Sequence, residues 1–173
     1  MKNFSGMNKL CKKGQTVFFG STTLSQMDLG DLMGNSTNSH IYNRSKDGLT
    51  IDQAQKIIGE CACELQPSRL LINIGEEDIE SADFKIDSFI SKYEWLLYQL
   101  HTHCELCTMY IISIMSDNPK AVKVNRELAK LAKDTGCVFI NVAHNTPWSF
   151  ISSVKPYIRS FPISFAEAMQ YAG

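Results

Sequence analysis

Five short apolar runs punctuate the chain: TVFFG (16–20), HIYN (40–43), RLLINIG (69–75), MYIISIM (109–115) and CVFINVA (137–143). Their apolar character is continuous rather than alternating, which is the pattern of strands covered on both faces, as in a parallel sheet. The segments between them repeat at helical spacing. Ile51, Ala54, Ile57, Ile58 and Cys61 share one face behind Thr50 and Gln53, a capping-box pair. Ile86, Phe89, Ile90, Tyr93, Leu97 and Leu100 form the most regular stripe in the chain. Val124, Leu128 and Leu131 repeat the pattern ahead of the fifth run, and Ser164 with Glu167 signals a short C-terminal helix.

Strand and helix thus alternate, which predicts a three-layer α/β domain with a five-stranded parallel sheet, spanning 1–173 as one unit. Right-handed crossovers and short connections favour the strand order 2-1-3-4-5. Ligands of such sheets bind beyond the carboxyl ends of the strands. The loops that matter therefore begin at Gly20, Asn43, Gly75, Met115 and Val142.

Composition narrows the function classes. Of 173 residues 44% are hydrophobic and 20% charged, as expected of a globular chain large enough for a sizeable core. The net charge is −1 and the basic residues are scattered, so no nucleic-acid partner and no anionic membrane surface is expected. The opening MKNFSGMNKLCKKG has no apolar run of signal-peptide length, and no later run is long enough to span a bilayer. A cytoplasmic location is the expectation, with the six cysteines mostly reduced.

The chemistry begins at FFGSTTLSQ (18–26), where an apolar strand runs into a glycine and a cluster of hydroxyls. Gly20, Ser21 and Thr22 stand there, NRSKDGLT occupies 43–50, and GEED occupies 75–78 after the third run. NRELAKLAKDTGCVFINV (125–142) follows as a helix and final strand. Together these blocks resemble the SGNH (GDSL-type) hydrolases, esterases and lipases with a flavodoxin-like fold. The likeness covers nearly the whole chain in order and spacing. Asn43, Arg44, Gly48 and Thr50 match the family's NRGxxGdT block, while GEED stands at its GxND block.

The resemblance implies a nucleophile at position 22, oxyanion donors at Gly48 and position 77, and a histidine base near the C-terminus. The departures fall on that chemistry. Thr22 replaces serine, Glu77 replaces asparagine, no DxxH block exists, and Phe161 precedes Pro162 where histidine is expected. A hydroxyl is a weak nucleophile without a neighbouring base. An ionised carboxylate donates no hydrogen bond, and losing one oxyanion donor typically costs about 2.7–4 kcal/mol. The expectation is a hydrolase scaffold without standard hydrolase chemistry. It would have no cofactor, and the family suggests a small acylated or carbohydrate ligand near Gly20, Ser21, Asn43, Gly75, Asp78 and Phe161.

Two other readings stay open. One is an active esterase with a rearranged site, using Thr22 or Ser21 with His144, which follows the fifth run. The other is a scaffold or interaction protein whose pocket has closed. More plainly, Ser21, Thr22 and Thr23 can serve as turn caps, EED (76–78) as a solvated loop, and His144 as a surface residue. HTHCELC (101–107) offers the ligand types for zinc or for redox exchange. It has no second knuckle and falls on the edge opposite the family pocket, so no metal is expected. Trp95 and Trp148 are expected in the core or in a pocket wall.

Overall fold

The computed structural model describes residues 3–30 and 40–159. Its strands are β1 (Thr16–Gly20), β2 (Ile41–Asn43), β3 (Arg69–Asn73), β4 (Thr108–Ile112) and β5 (Val138–Ile140). All pairings are parallel and the order is β2-β1-β3-β4-β5. The helices are α1 (Phe4–Asn8), α2 (Thr22–Ser25), α3 (Ile51–Cys61), α4 (Glu76–Glu80), α5 (Ile86–His103), α6 (Lys120–Thr135) and α7 (Pro147–Arg159).

Each strand feeds two cores, because successive side chains leave opposite faces of a sheet. Val17, Phe19, Leu70, Ile72, Met109 and Ile111 pack against the apolar stripes of α3, α5 and α6. Phe18, Leu71, Tyr110, Ile112 and Ile140 pack instead with Leu24 of α2 and Phe150 and Val154 of α7. That is why the central runs read as unbroken apolar sequence: every residue of β1 and β4 is buried. The edge strands β2 and β5 are only three residues long and partly covered. The pairings of β3 and β4 stop before the apolar runs of those strands do. Ile74, Ile114 and Met115 are buried beyond the last paired residues, so hydrophobic pattern outlasts hydrogen bonding at that end.

The capping box of α3 forms as its sequence indicates. Thr50 Oγ1 accepts from the Gln53 N–H, and the Gln53 side chain accepts from the Thr50 N–H. The amphipathic pattern does not announce α1 or α7. α1 is held from below by Arg44, a cation that is 3% exposed. Its guanidinium donates to Asn8 Oδ1 (3.1 Å) and to the Cys11 sulfur (3.1 Å), and lies 5.4 Å from the ring centres of both Phe4 and Tyr42. The tryptophans correct the sequence expectation. Trp148 is 77% exposed, and Trp95 is 53% exposed with its ring stacked on Tyr98 along the outer face of α5. Ser164, Glu167 and Phe161 lie outside the described residues. Among the described residues, no helix is long and apolar enough to cross a membrane.

Candidate functional site

The loops leaving β1, β2 and β3 meet because their strands are adjacent in the order β2-β1-β3. Gly20 makes the first turn possible. A Cβ there would lie 2.5 Å from the Asn73 carbonyl oxygen and 2.8 Å from Leu24, so only glycine allows β1 and β3 to approach so closely. The chain then turns through Ser21 into α2. The Ser21 N–H donates to the Asn73 carbonyl (3.0 Å), and its side chain is completely buried. The Ser21 hydroxyl has no hydrogen-bond partner among the described residues. Thr22, one residue later, is the hydroxyl that reaches the surface of the site.

Thr22 is held from both sides. Its Oγ1 accepts from the Gly48 N–H at 2.8 Å and donates to Glu77 Oε1 at 2.5 Å. Thr23 repeats the arrangement one step along: its Oγ1 donates to Glu76 Oε2 at 2.5 Å and its N–H to Glu76 Oε1 at 2.6 Å. Two successive threonines at the start of α2 thus bind two successive glutamates at the start of α4. The Thr23–Glu76 half was not evident from sequence. The paired TT and EE were its only signal, legible once the first and third loops are known to be neighbours.

The other matched residues hold backbone. Asn43 Nδ2 donates to the Leu24 carbonyl (2.9 Å), and its Oδ1 accepts from the Ser45 N–H (3.0 Å), fixing the β2 loop against α2. Asp78 accepts the Ile51 N–H at 3.2 and 3.1 Å, bracing the first turn of α3. Burial raises the Asp78 carboxyl to about 6, with Asp52 adding to the rise while the Ile51 hydrogen bond and Lys92 oppose it. Gly75 has φ 132°, and a Cβ there would come within 2.4 Å of Ile114 and 2.9 Å of Phe89.

The carboxyl edge is open on both sides of this junction. Glu77 and Asp78 line a cleft of about 300 Å³ with Asp52, Asp83, Lys85 and Lys92. Thr23 lines another of about 400 Å³ with Gln26, Met27, Leu29 and Phe150. His144 is elsewhere. It lines a cleft of about 490 Å³ with Asp117, Asn125, Arg126 and Asn141, beyond β4 and β5, and neither Thr22, Gly48 nor Glu77 borders it. The structure therefore brings Thr22, Gly48 and Glu77 together, uses Asn43, Gly75 and Asp78 to hold the loops that carry them, and leaves His144 in a separate cleft.

Strand order, crossover helices and convergent edge loops define a three-layer, flavodoxin-like α/β architecture. It is the fold of the SGNH hydrolases. No protein-family model matches the chain, and no curated protein is detectably similar to it in sequence. Solved structures are similar in fold. A GDSL-like lipase from Bacteroides thetaiotaomicron superposes with a TM-score of 0.75 at 15% identity, over 90% of this chain and 97% of that one. A catalytic mutant of an acetylxylan esterase from Geobacillus stearothermophilus gives 0.64 at 13% identity, over 94% and 92%. A psychrotrophic esterase from Pseudoalteromonas sp., in a structure inhibited by monoethylphosphonate, gives 0.60 at 16% identity, over 84% and 92%.

Proposed function

We propose that this chain uses the SGNH scaffold to bind a small acylated or carbohydrate ligand at the carboxyl edge of the sheet, and that it does not turn esters over at a useful rate. The observation that carries this reading is the double hold on Thr22. A nucleophilic hydroxyl must give its proton to a base that later returns it to the leaving group. Here the one base in reach of the hydroxyl among the described residues is the Glu77 carboxylate, and it stands at the position where a transition state would need a donor. The Gly48 N–H, which would stabilise an oxyanion, is engaged by the same hydroxyl. An ionised Glu77 would repel developing negative charge.

Ligand binding asks less of these groups. Carboxylates and threonine hydroxyls are suited to the hydroxyls of a sugar, and the flanking clefts of about 300 and 400 Å³ leave the edge accessible. That openness favours a binder over a closed scaffold. The similarity in fold to an acetylxylan esterase makes acetylated xylo-oligosaccharides the first ligands to test.

The test compares wild type, Thr22→Ala and His144→Ala on acetyl and longer acyl aryl esters, and titrates the same proteins with acetylated and deacetylated oligosaccharides by calorimetry. Wild type is expected to match Thr22→Ala in turnover and to bind an oligosaccharide, with binding weakened by Glu77→Ala. Wild-type turnover that disappears in both variants would overturn the non-catalytic reading and establish His144 as the base. Absence of binding across the panel would overturn the ligand assignment.

A further inference from the structure

The cleft beyond β4 and β5, about 490 Å³ in volume, takes no part in the Thr22 junction. Its size is that of a small-molecule site. Three segments line it: the first turns of α6, the chain leaving β4 and the chain leaving β5. Printed in their side chains is a set of bonds that holds these segments to one another. Asn125 of α6 accepts from the Ile114 N–H at 2.7 Å and donates to the Ile114 carbonyl at 3.1 Å. The Ser113 N–H donates to the Ile140 carbonyl at 2.9 Å, and the Ser113 hydroxyl accepts from the Val142 N–H at 2.8 Å. Ser116 Oγ accepts from the Asn118 N–H at 3.1 Å, and Asn118 Oδ1 from the Lys120 N–H at 3.0 Å, which fixes the start of α6.

The side chains that brace the walls are spent on backbone. Four others in the same cleft are not. Among the described residues, the only ion pair is Lys92–Asp52, between α5 and α3, so Arg126 and Asp117 line one cleft without reaching each other or any other charge. His144 is engaged with Ser149 through its backbone N–H alone, which leaves the imidazole uncommitted, and the Asn141 amide has no partner among the described residues. All four are exposed. A solvated arginine or aspartate is ordinary when it stands singly. Opposite charges that face one cavity from braced walls, too far apart to neutralise each other, leave room for a molecule between them.

We propose that this cleft is a second ligand site, for a small zwitterion of the α-amino-acid type, with its carboxylate on Arg126 and its ammonium on Asp117. Charge decides the class. A simple anion would gain Arg126 but meet the like charge of Asp117, and a simple amine would meet the reverse. A molecule that carries both groups on neighbouring atoms uses both residues at once. The planar guanidinium takes a carboxylate through two parallel hydrogen bonds, and a carboxylate accepts from an ammonium without competition from other donors. The Asn141 amide and the neutral His144 imidazole can each give and take a hydrogen bond, which suits a polar side chain on the ligand. Val122 and Phe139 offer an apolar wall for the remainder.

No residue of the Thr22, Gly48 and Glu77 junction lines this cleft, so occupancy here is independent of any ligand there. The experiment titrates the full chain by calorimetry with glycine, L-leucine, L-glutamine and L-phenylalanine. The amino acid that binds most tightly is then compared with two derivatives, its N-acetyl form, which lacks the ammonium, and its C-terminal amide, which lacks the carboxylate. Acetate and methylamine serve as the single-charge controls. Arg126→Gln and Asp117→Asn each remove one charge at an exposed position and retain a hydrogen-bonding group. Amide chemical shifts followed during the same titration locate the ligand.

Wild type is expected to bind at least one amino acid, and each derivative and each variant to weaken that binding by about tenfold or more. The losses should match in pairs. Arg126→Gln should no longer distinguish the amide from its parent, and Asp117→Asn should no longer distinguish the N-acetyl form. Shifts should concentrate at residues 121–126 and 141–145 and leave the Gly48 N–H unmoved. Absence of binding across the panel, acetate or methylamine binding as tightly as the amino acid, derivatives as tight as their parent, or shifts centred on Gly48 would each overturn the assignment. The wild-type comparison of parent and derivatives decides the matter even if a variant fails to fold.

Discussion

Asp78 offers the most direct test of how the edge loops are held, because its contribution to stability changes with pH in a fixed direction. In the folded chain it braces the Ile51 N–H, and burial raises its carboxyl from 3.8 to about 6. Unfolded, it ionises near the ordinary value. Between about pH 4 and pH 6 the folded form therefore holds more protons than the unfolded form, so stability falls as pH rises through that window and levels off above it. A shift of this size corresponds to about 3 kcal/mol at full effect. Solvent at a partly open site reduces that to about 1–2 kcal/mol. Asp78→Asn mimics the protonated state and keeps a carbonyl acceptor for Ile51. Urea denaturation of both proteins between about pH 3.5 and pH 7 isolates the contribution, since other titrating groups cancel in the difference. That difference is expected to move by about 1–2 kcal/mol in favour of the variant as pH rises, or by about 2–8 °C in Tm for a chain of this size. A difference that stays constant, or moves in favour of wild type, would refute the assignment of a destabilised buried carboxylate.

Further outcomes are expected elsewhere. Gly75→Ala should lower stability by at least about 2 kcal/mol, from its positive φ together with the clash against Ile114 and Phe89; circular dichroism melting checks this, and a variant within error of wild type would contradict it. A double-mutant cycle between Thr23→Val and Glu76→Gln should give a coupling energy of about 0.5–3 kcal/mol, and additive effects would show that the 2.5 Å contact contributes nothing. Thr22→Ser alone should leave ester turnover at the Thr22→Ala level, because groups acting as one catalytic unit are strongly non-additive; a large gain by spectrophotometric assay would mean that Glu77, bonded to this hydroxyl, already serves as the base. Phe150→Ala should cost about 3–5 kcal/mol, since that fully buried ring fills the second core beside Phe18.

The fold was legible because its signal is repeated. Five continuous apolar runs and three helical stripes constrain one another, and β1 begins and ends where its run does. The site was legible in part, and the motif residues explain why. Asn43, Asp78, Gly20 and Gly75 serve backbone positions: a carbonyl, a helix start, a close strand approach and a positive φ. Residues with such duties mark the shape of the loops even where the chemistry has changed, so resemblance at these positions measures architecture. The Thr23–Glu76 bond is a contact between segments 53 positions apart, which no local pattern encodes. The tryptophans misled for a related reason. Size and aromaticity favour burial on average, but Trp95 and Trp148 occupy helix faces that have no neighbour among the described residues to cover them.

The seating of Arg44 has a dynamic consequence. β2, three residues long and at the sheet edge, has little ladder of its own to resist opening. Its neighbour Arg44 spans the gap between that edge and α1, and opening either side would break its bonds to Asn8 and Cys11 and lift the Phe4 ring from it. Residues 4–11 and the loop that carries Gly48 should then open and close as one cooperative unit. Amide hydrogen exchange in the first helix and at Gly48 would share one opening free energy. The N–H at the candidate site would therefore be only as persistent as a helix near the start of the chain, some forty positions away.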